Sequence, residues 1–312
     1  MQGTTPTPGL LERIRQGRVG GVILMGANVR TAPQLRALTA RLRAAARAGG
    51  GRILIATDQE GGEVRRLPWA PPAASAEQLG ALGEAAIRRR GLDTARALDK
   101  AGVDVDLAPV ADVPGVEGSF VAAQRRAFST VPARAAKDVT AFSAGLLDGG
   151  VAPTLKHFPG LGLATRSTDV AAVTIDAPAA KLDAGLAPYR RAIAAGVAPL
   201  VMVSNAAYAA YGGQPAAWSP RVLAALTGLG FTGVTITDAV EPLATTHGVT
   251  LDEAAFRAAR AGVDLLLFVG SGQSTDRVFD RLLAEARAGR LPRAALERSA
   301  ARIDGLAATY AG

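Results

Sequence analysis

The sequence predicts an α/β fold of the (β/α)8 TIM-type barrel class, with the first barrel strand missing or truncated at the N-terminus. Two observations carry this expectation. Short β-branched runs recur along the 312 residues with Ala/Leu/Arg-rich helical patterns between them, the signature of parallel βα units. Neither a Gly-rich dinucleotide turn nor a switch-point pattern accompanies them, which favours a closed barrel over an open doubly wound sheet. The runs leave such a barrel one strand short. The chain opens on the turn-like residues Met1-Gln2-Gly3-Thr4-Thr5-Pro6, so the missing strand is placed before residue 1.

The runs, in order, are Gly21–Met25, Ile53–Thr57, Val103–Leu107, Pro153–His157, Leu200–Ser204, Val234–Thr237 and Val263–Phe268. They are short and mostly apolar, as strands covered on both faces are. A helix over Gly9–Gln16 feeds the first run. Between the others, Pro33–Ala48, Ala76–Ala101, Pro132–Leu147 and Asp252–Ala261 carry apolar residues three and four apart, the spacing that lays one stripe against a sheet. Asp276–Arg287 and Pro292–Ala308 are helical and no strand run follows, so residues 1–312 are read as a single barrel domain.

Composition narrows the function classes. Hydrophobic residues make up 49% and charged residues 20%, and no stretch approaches the roughly 20 apolar residues of a membrane span, which excludes a membrane-spanning role. The formal charge is +8, but only Lys100, Lys137, Lys156 and Lys181 are lysines, and the arginines are spread along the helices rather than clustered. With aromatics at 4%, few stacking platforms exist, and no nucleic-acid partner is expected. The absence of cysteine excludes thiolate metal sites and a Cys nucleophile. His157 and His247 are the only histidines, too few for a multi-histidine metal site, so neither metal nor cofactor is expected. No charged-then-apolar leader opens the chain. It reads as cytoplasmic as written, or as secreted if a signal peptide has been removed before Met1. Nothing demands an interface, and a monomer is expected.

Barrel enzymes carry their chemistry on the loops leaving the C-terminal ends of the strands. Asp58 follows the second run and precedes Gln59-Glu60-Gly61-Gly62, where the glycines let the backbone turn sharply. Its carboxylate either faces the pocket or caps the next segment. Glu60 orders the turn. Lys156 and His157 stand side by side at the fourth strand end, where alternation sends one inward and one outward unless the strand breaks, as Pro159 and Gly160 indicate. They form either a hydrogen-bonding pair for sugar hydroxyls or a buried structural pair. Asn205 leaves the fifth run. Asp238 leaves the sixth directly, beside the small Ala239. A sheet-fixed carboxylate there is placed to attack an anomeric carbon, or else caps a helix beginning near Glu241-Pro242. Arg125 and Arg126 lie in the long stretch after the third run, where either could give a bidentate pair and residue type does not choose between them.

Together these segments resemble glycoside hydrolase family 3 in its single-domain form, the group that includes bacterial β-N-acetylglucosaminidases of cell-wall recycling. The resemblance runs nearly end to end, through GGVILMGANV (Gly20–Val29), ATDQEGGEVRRL (Ala56–Leu67), DLAPVADV (Asp106–Val113), RRAFS (Arg125–Ser129), LKHFPGLG (Leu155–Gly162) and GFTGVTITDAV (Gly230–Val240). It implies a (β/α)8-barrel hydrolase with Asp238 as the catalytic nucleophile of a covalent glycosyl-enzyme. It also implies that Asp58, Arg126, Lys156 and His157 hold the hydroxyls of the sugar beside the scissile bond, with a carbohydrate as partner. Gln2-Gly3 resembles the sequence just after the family's first barrel strand.

One departure stands out. Where the family continues KHFPG with a His and later supplies an acid/base His supported by an Asp, this chain has Leu161, Asp169 and Ser167 respectively. A retaining glycosidase needs a group to protonate the leaving oxygen. Asp169 occupies the matching place, and Glu60 and Glu241 are weaker candidates. The expected function is a retaining β-glycoside hydrolase, exo-acting on β-N-acetylglucosaminides or related β-linked sugars. The alternative is a catalytically impaired member that binds glycan or peptidoglycan fragments.

Overall fold

The computed structural model describes residues 1, 3–270 and 272–312, with residue 273 described by its backbone alone. Gln2, part of the N-terminal resemblance, lies outside the described residues.

The strands are β1 (Gly21–Leu24), β2 (Leu54–Thr57), β3 (Gln59–Gly61), β4 (Val64–Arg65), β5 (Val105–Asp106), β6 (Ala152–Phe158), β7 (Thr174–Ile175), β8 (Leu200–Val203), β9 (Ala207–Tyr208) and β10 (Val234–Thr237). Six of them form one parallel curled sheet in the order β1-β2-β5-β6-β8-β10. The last expected run follows on from β10. It makes a parallel bridge between Leu265 and Ile236, and Leu265 and Leu267 exchange backbone hydrogen bonds with Thr235, Thr237 and Val240. Two ladders were not anticipated: the β3–β4 hairpin and the short β7–β9 pair, both formed by loop segments above the strand ends.

Alternation along the strands sorts the core into two layers. Ile23, Leu54, Val105, Leu200, Met202, Val234 and Ile236 point into the barrel, where Leu306 and Ala307 of the last helix (Arg293–Tyr310) join them. Val22, Leu24, Ile55, Val201 and Val203 point outward against the helices. These helices begin and end where the chain dictates. Thr31 caps the helix Ala32–Ala48 by accepting from Gln34 N, with Pro33 in the first turn. Gly102, at φ 77°, ends the helix Glu84–Ala101 in the left-handed conformation. The expected single helix over 76–101 is broken into Ala76–Gly80 and Glu84–Ala101, with Gly83 between them as the second helix's N-cap.

Among the described residues no strand pairs with the second edge of β1. The space between that edge and the Leu265 run opens onto a cavity of about 420 Å³ lined by apolar side chains including Val22, Ile23, Leu265, Phe268 and Phe279. Across this seam the flanking helices are joined by side chains. Arg13 pairs with Asp276 at 3.0 Å, and Arg18 pairs with Asp280 while stacking over Phe279. Among the described residues no helix is long and apolar enough to cross a membrane.

Candidate active site

The site sits where β2, β5, β6, β8 and β10 end. At β2 the chain passes from Asp58 into the β3–β4 hairpin, and Gln59 clips that loop in place. Its side chain donates to the carbonyls of Leu67, Ala70 and Pro71 and accepts from Leu67 N, all within 3.2 Å. Its backbone N–H donates to Asp106 Oδ1 at 2.9 Å. Asp58 and Glu60, on either side of Gln59, are thereby delivered to one ammonium. Lys156 Nζ lies 2.8 Å from Asp58 Oδ1 and 2.7 Å from Glu60 Oε1.

Arg126 completes this group with a bidentate pair to Glu60, at 2.8 and 2.9 Å. The adjacent Arg125 instead points outward to Glu77. Of the two arginines that residue type left open, Arg126 is the one that turns to the Lys156 group. Arg66 also reaches Asp58, at 3.5 Å, so each carboxylate of the group is paired with more than one cation, which is how the two are tolerated in the interior. Burial opposes the charge on Glu60, but Lys156 and Arg126 outweigh it and hold the carboxyl well below the usual range. A carboxyl so held is no proton donor, and Glu60 is a structural partner. Glu241 is likewise engaged, accepting from Val269 N and Gly270 N at the exit of the last run.

Lys156 and His157 both reach the mouth, which strict alternation forbids. The pairing of β6 with β8 shows why. Leu155 stands opposite Val201 and Phe158 opposite Val203, so β6 carries an extra residue at this point. The irregularity resets the side-chain direction. Lys156 turns to Asp58 and Glu60, and His157 turns to Asp112, its Nδ1 lying 2.8 Å from Asp112 Oδ2. The strand runs on through Phe158 rather than ending at His157.

Asp238 follows β10, with its N–H bonded to Val203 O at 3.0 Å. Its Oδ1 accepts from Ala239 N at 2.7 Å, and Asn205 Nδ2 holds the Ala239 carbonyl at 2.8 Å. The carboxylate is thus pinned by the backbone of its own turn, and β8 braces that turn. Burial is the largest influence on Asp238 and raises its pKa; Asp169 raises it further, while His157, the Ala239 amide and Lys156 pull it down, and the net is upward.

Asp169 lies on the exposed loop that follows β6. This loop is seated against the β5 exit. Gly115 N donates to Gly162 O and Phe120 N to Ala164 O, and a Cβ on Gly162 would meet Val113 O at 1.8 Å. Asp169 N donates to Ser167 Oγ, and the charge of its carboxylate is felt at Asp238. The six residues anticipated from sequence therefore converge on one mouth, with Asp169 on the solvent side.

Sequence reading assigned no role to Asp106 or Asp112, although both lie in DLAPVADV. Asp106 falls inside the third run and Asp112 five residues past its end, so neither stands directly after a run, where the strand-exit rule looks. Asp106 is wholly buried, and its Oδ2 has no hydrogen-bond partner. Burial pushes its carboxyl up to about 8, against the pull of the Gln59 amide and Lys156. The ordinary value is 3.8, so the stability this group contributes is fully present below that value and is lost as pH rises through about 8. Asp106→Asn keeps the Oδ1 acceptor and removes this slope. The Tm of the wild type is expected to fall relative to that of the variant from about pH 4 to about pH 8, followed by differential scanning fluorimetry. Parallel curves would show that Asp106 carries no such proton.

Among the described residues no group of three or more His, Cys, Asp or Glu side chains is placed to hold a metal.

The sequence profile of the glycosyl hydrolase family 3 N-terminal domain matches residues 6–306. A protein of Arthroderma benhamiae named an uncharacterized secreted glycosyl hydrolase is 34% identical, over 97% of this chain and 89% of its own. The β-hexosaminidase LpqI of Mycobacterium tuberculosis is 33% identical, over 82% of this chain and 69% of its own. Among solved structures, a family 3 β-N-acetylglucosaminidase of Paenibacillus superposes with a TM-score of 0.94 at 30% identity, covering 100% of this chain, which spans 61% of that one. A β-N-acetylhexosaminidase of Beutenbergia cavernae superposes with a TM-score of 0.89 at 31% identity, covering 99% of this chain and 95% of that one. The parallel barrel sheet, its loaded strand exits and these likenesses agree: the chain belongs to glycosyl hydrolase family 3 and is, by that membership, a glycosidase.

Proposed function

We propose that this protein is a retaining β-glycoside hydrolase acting from the non-reducing end on β-N-acetylglucosaminides or related β-linked sugars. The observation that carries the reading is the placement of Asp238. It is fixed by the sheet, pinned by the Ala239 amide, and set beside the Lys156–His157 pair that would hold ring hydroxyls. In the reaction Asp238 attacks the anomeric carbon and expels the aglycone, forming a glycosyl ester. The proton for the leaving oxygen comes from Asp169, which then as a carboxylate takes a proton from the water that hydrolyses the ester. Both steps invert at carbon, so the product keeps the β configuration.

The names of the relatives support an N-acetylated sugar, and the single-chain construction of the site supports a monomer. The Arthroderma relative's description supports action outside the cell. A second reading, a glycan-binding member with little turnover, is favoured by one observation: Asp169, in the place of the family's acid/base His, is exposed.

Proton NMR of a digest of 4-nitrophenyl β-N-acetylglucosaminide, with the matching β-glucoside alongside, tests the proposal. Expected are faster turnover of the N-acetylated substrate and β-anomer as the first product. An initial α-anomer would overturn the covalent mechanism, and preference for the glucoside would overturn the assigned sugar. Binding without turnover would establish the second reading.

A further inference from the structure

Asp112 is bonded in a way that leaves His157 no choice of tautomer. Its Oδ1 accepts two backbone amides, His157 N at 3.2 Å and Leu161 N at 2.6 Å. Its Oδ2 is left with a single partner, the Nδ1 of His157 at 2.8 Å. Asp112 is 1% exposed and His157 5%, and Phe158 and Tyr189 pack edge to face beside them with ring centroids 5.0 Å apart. A carboxylate only accepts, so the ring proton of a neutral His157 must sit on Nδ1. The other nitrogen, Nε2, then presents a lone pair, and the ring stands close enough to Asp238 in the mouth for the two groups to interact.

We infer that Asp112 is a positioning residue that fixes His157 as the Nδ1–H tautomer and so makes Nε2 a hydrogen-bond acceptor in the sugar site. Lys156 is the complementary neighbour. Two of its three N–H bonds are committed to Asp58 and Glu60, and it can only donate. Side by side, Lys156 donates and His157 accepts, so the pair reads a hydroxyl by the direction of its O–H bond. A ring hydroxyl opposite His157 has to act as a donor. A fluorine at the same carbon keeps the size and polarity but has no proton to give, and is rejected as strongly as hydrogen. This specificity rests on the sugar-binding reading above; the tautomer does not.

The discriminating variant is Asp112→Asn. Asn keeps the Oδ1 acceptor for both amides and turns Oδ2 into an NH2 donor, which requires Nδ1 to become the acceptor and moves the ring proton to Nε2. The chain has only His157 and His247, so two-bond ¹H–¹⁵N correlation spectra of ¹⁵N-labelled protein resolve both rings. Expected for His157 is the Nδ1–H pattern in the wild type and the Nε2–H pattern in Asp112→Asn, with the His247 pattern the same in both. An Nε2–H pattern or a doubly protonated ring in the wild type overturns the inference whether or not the variant folds, as does an unchanged tautomer in a folded variant.

Kinetics on deoxy and deoxyfluoro analogues at each ring position then test the specificity. In the wild type, one position loses about tenfold in kcat/KM with either replacement, and in Asp112→Asn the fluoro analogue recovers over the deoxy one. Equal treatment of all positions, with the tautomer as inferred, would refute the hydroxyl-direction rule and leave the Asp112 assignment standing.

Discussion

Asp238→Asn is expected to lower kcat/KM for an aryl β-N-acetylglucosaminide by on the order of 10⁴-fold or more, the scale seen when a nucleophile is removed from a covalent mechanism. The amide cannot form the glycosyl ester. Its effect on stability runs the other way. Burial and the Asp169 charge both disfavour the ionised carboxylate, so the folded protein holds Asp238 at a cost at neutral pH. Replacing it with a neutral isostere removes that cost, and the Tm is expected to rise. Steady-state kinetics and thermal melting of the same preparation check both parts. Activity within tenfold of wild type would remove Asp238 from the mechanism, whereas a lower Tm would show that the site is not held in tension.

The second large effect depends on the leaving group. Asp169→Asn is expected to cost about 10²–10⁴-fold on an aryl glycoside with a poor leaving group, because general acid help is lost. A 2,4-dinitrophenyl glycoside departs without a proton, and its glycosylation rate is expected to stay within a few-fold of wild type. The pH dependence adds an independent sign. The Asp169 carboxylate raises the pKa of Asp238, so its removal lowers that pKa and moves the acid limb of kcat/KM for the activated substrate to lower pH. Equal losses on both substrates would remove Asp169 as the proton donor and point to a role in holding the loop.

Much of this was legible in the sequence because parallel strands announce themselves. Six of the seven expected runs fall on ladder strands, and the seventh pairs through Leu265, since a strand covered on both faces has to be apolar throughout. The strand exits were equally legible, because a polar residue directly after such a run has nowhere to go but the mouth. Less visible were features set by contacts distant in sequence. The partner of Arg126 is Glu60, 66 residues away, and no local pattern distinguishes it from Arg125. The extra residue in β6 that turns Lys156 and His157 to the same end is a property of its pairing with β8, not of its own composition. Asp112 was hidden for a different reason. It touches His157 and the backbone around it, and a residue that orients another carries no motif of its own.

The side chains of the site and the unpaired edge of β1 lie on different parts of the sheet. Among the described residues no backbone pairing joins β1 to the Leu265 run, and the two sides are linked through Arg13, Arg18 and their partners on the outer helices. The carboxylates, Lys156, His157 and Asp238 all stand on the unbroken arc from β2 to β10. Every ladder that positions these side chains therefore lies within that arc, and none of them depends on a contact across the β1 side.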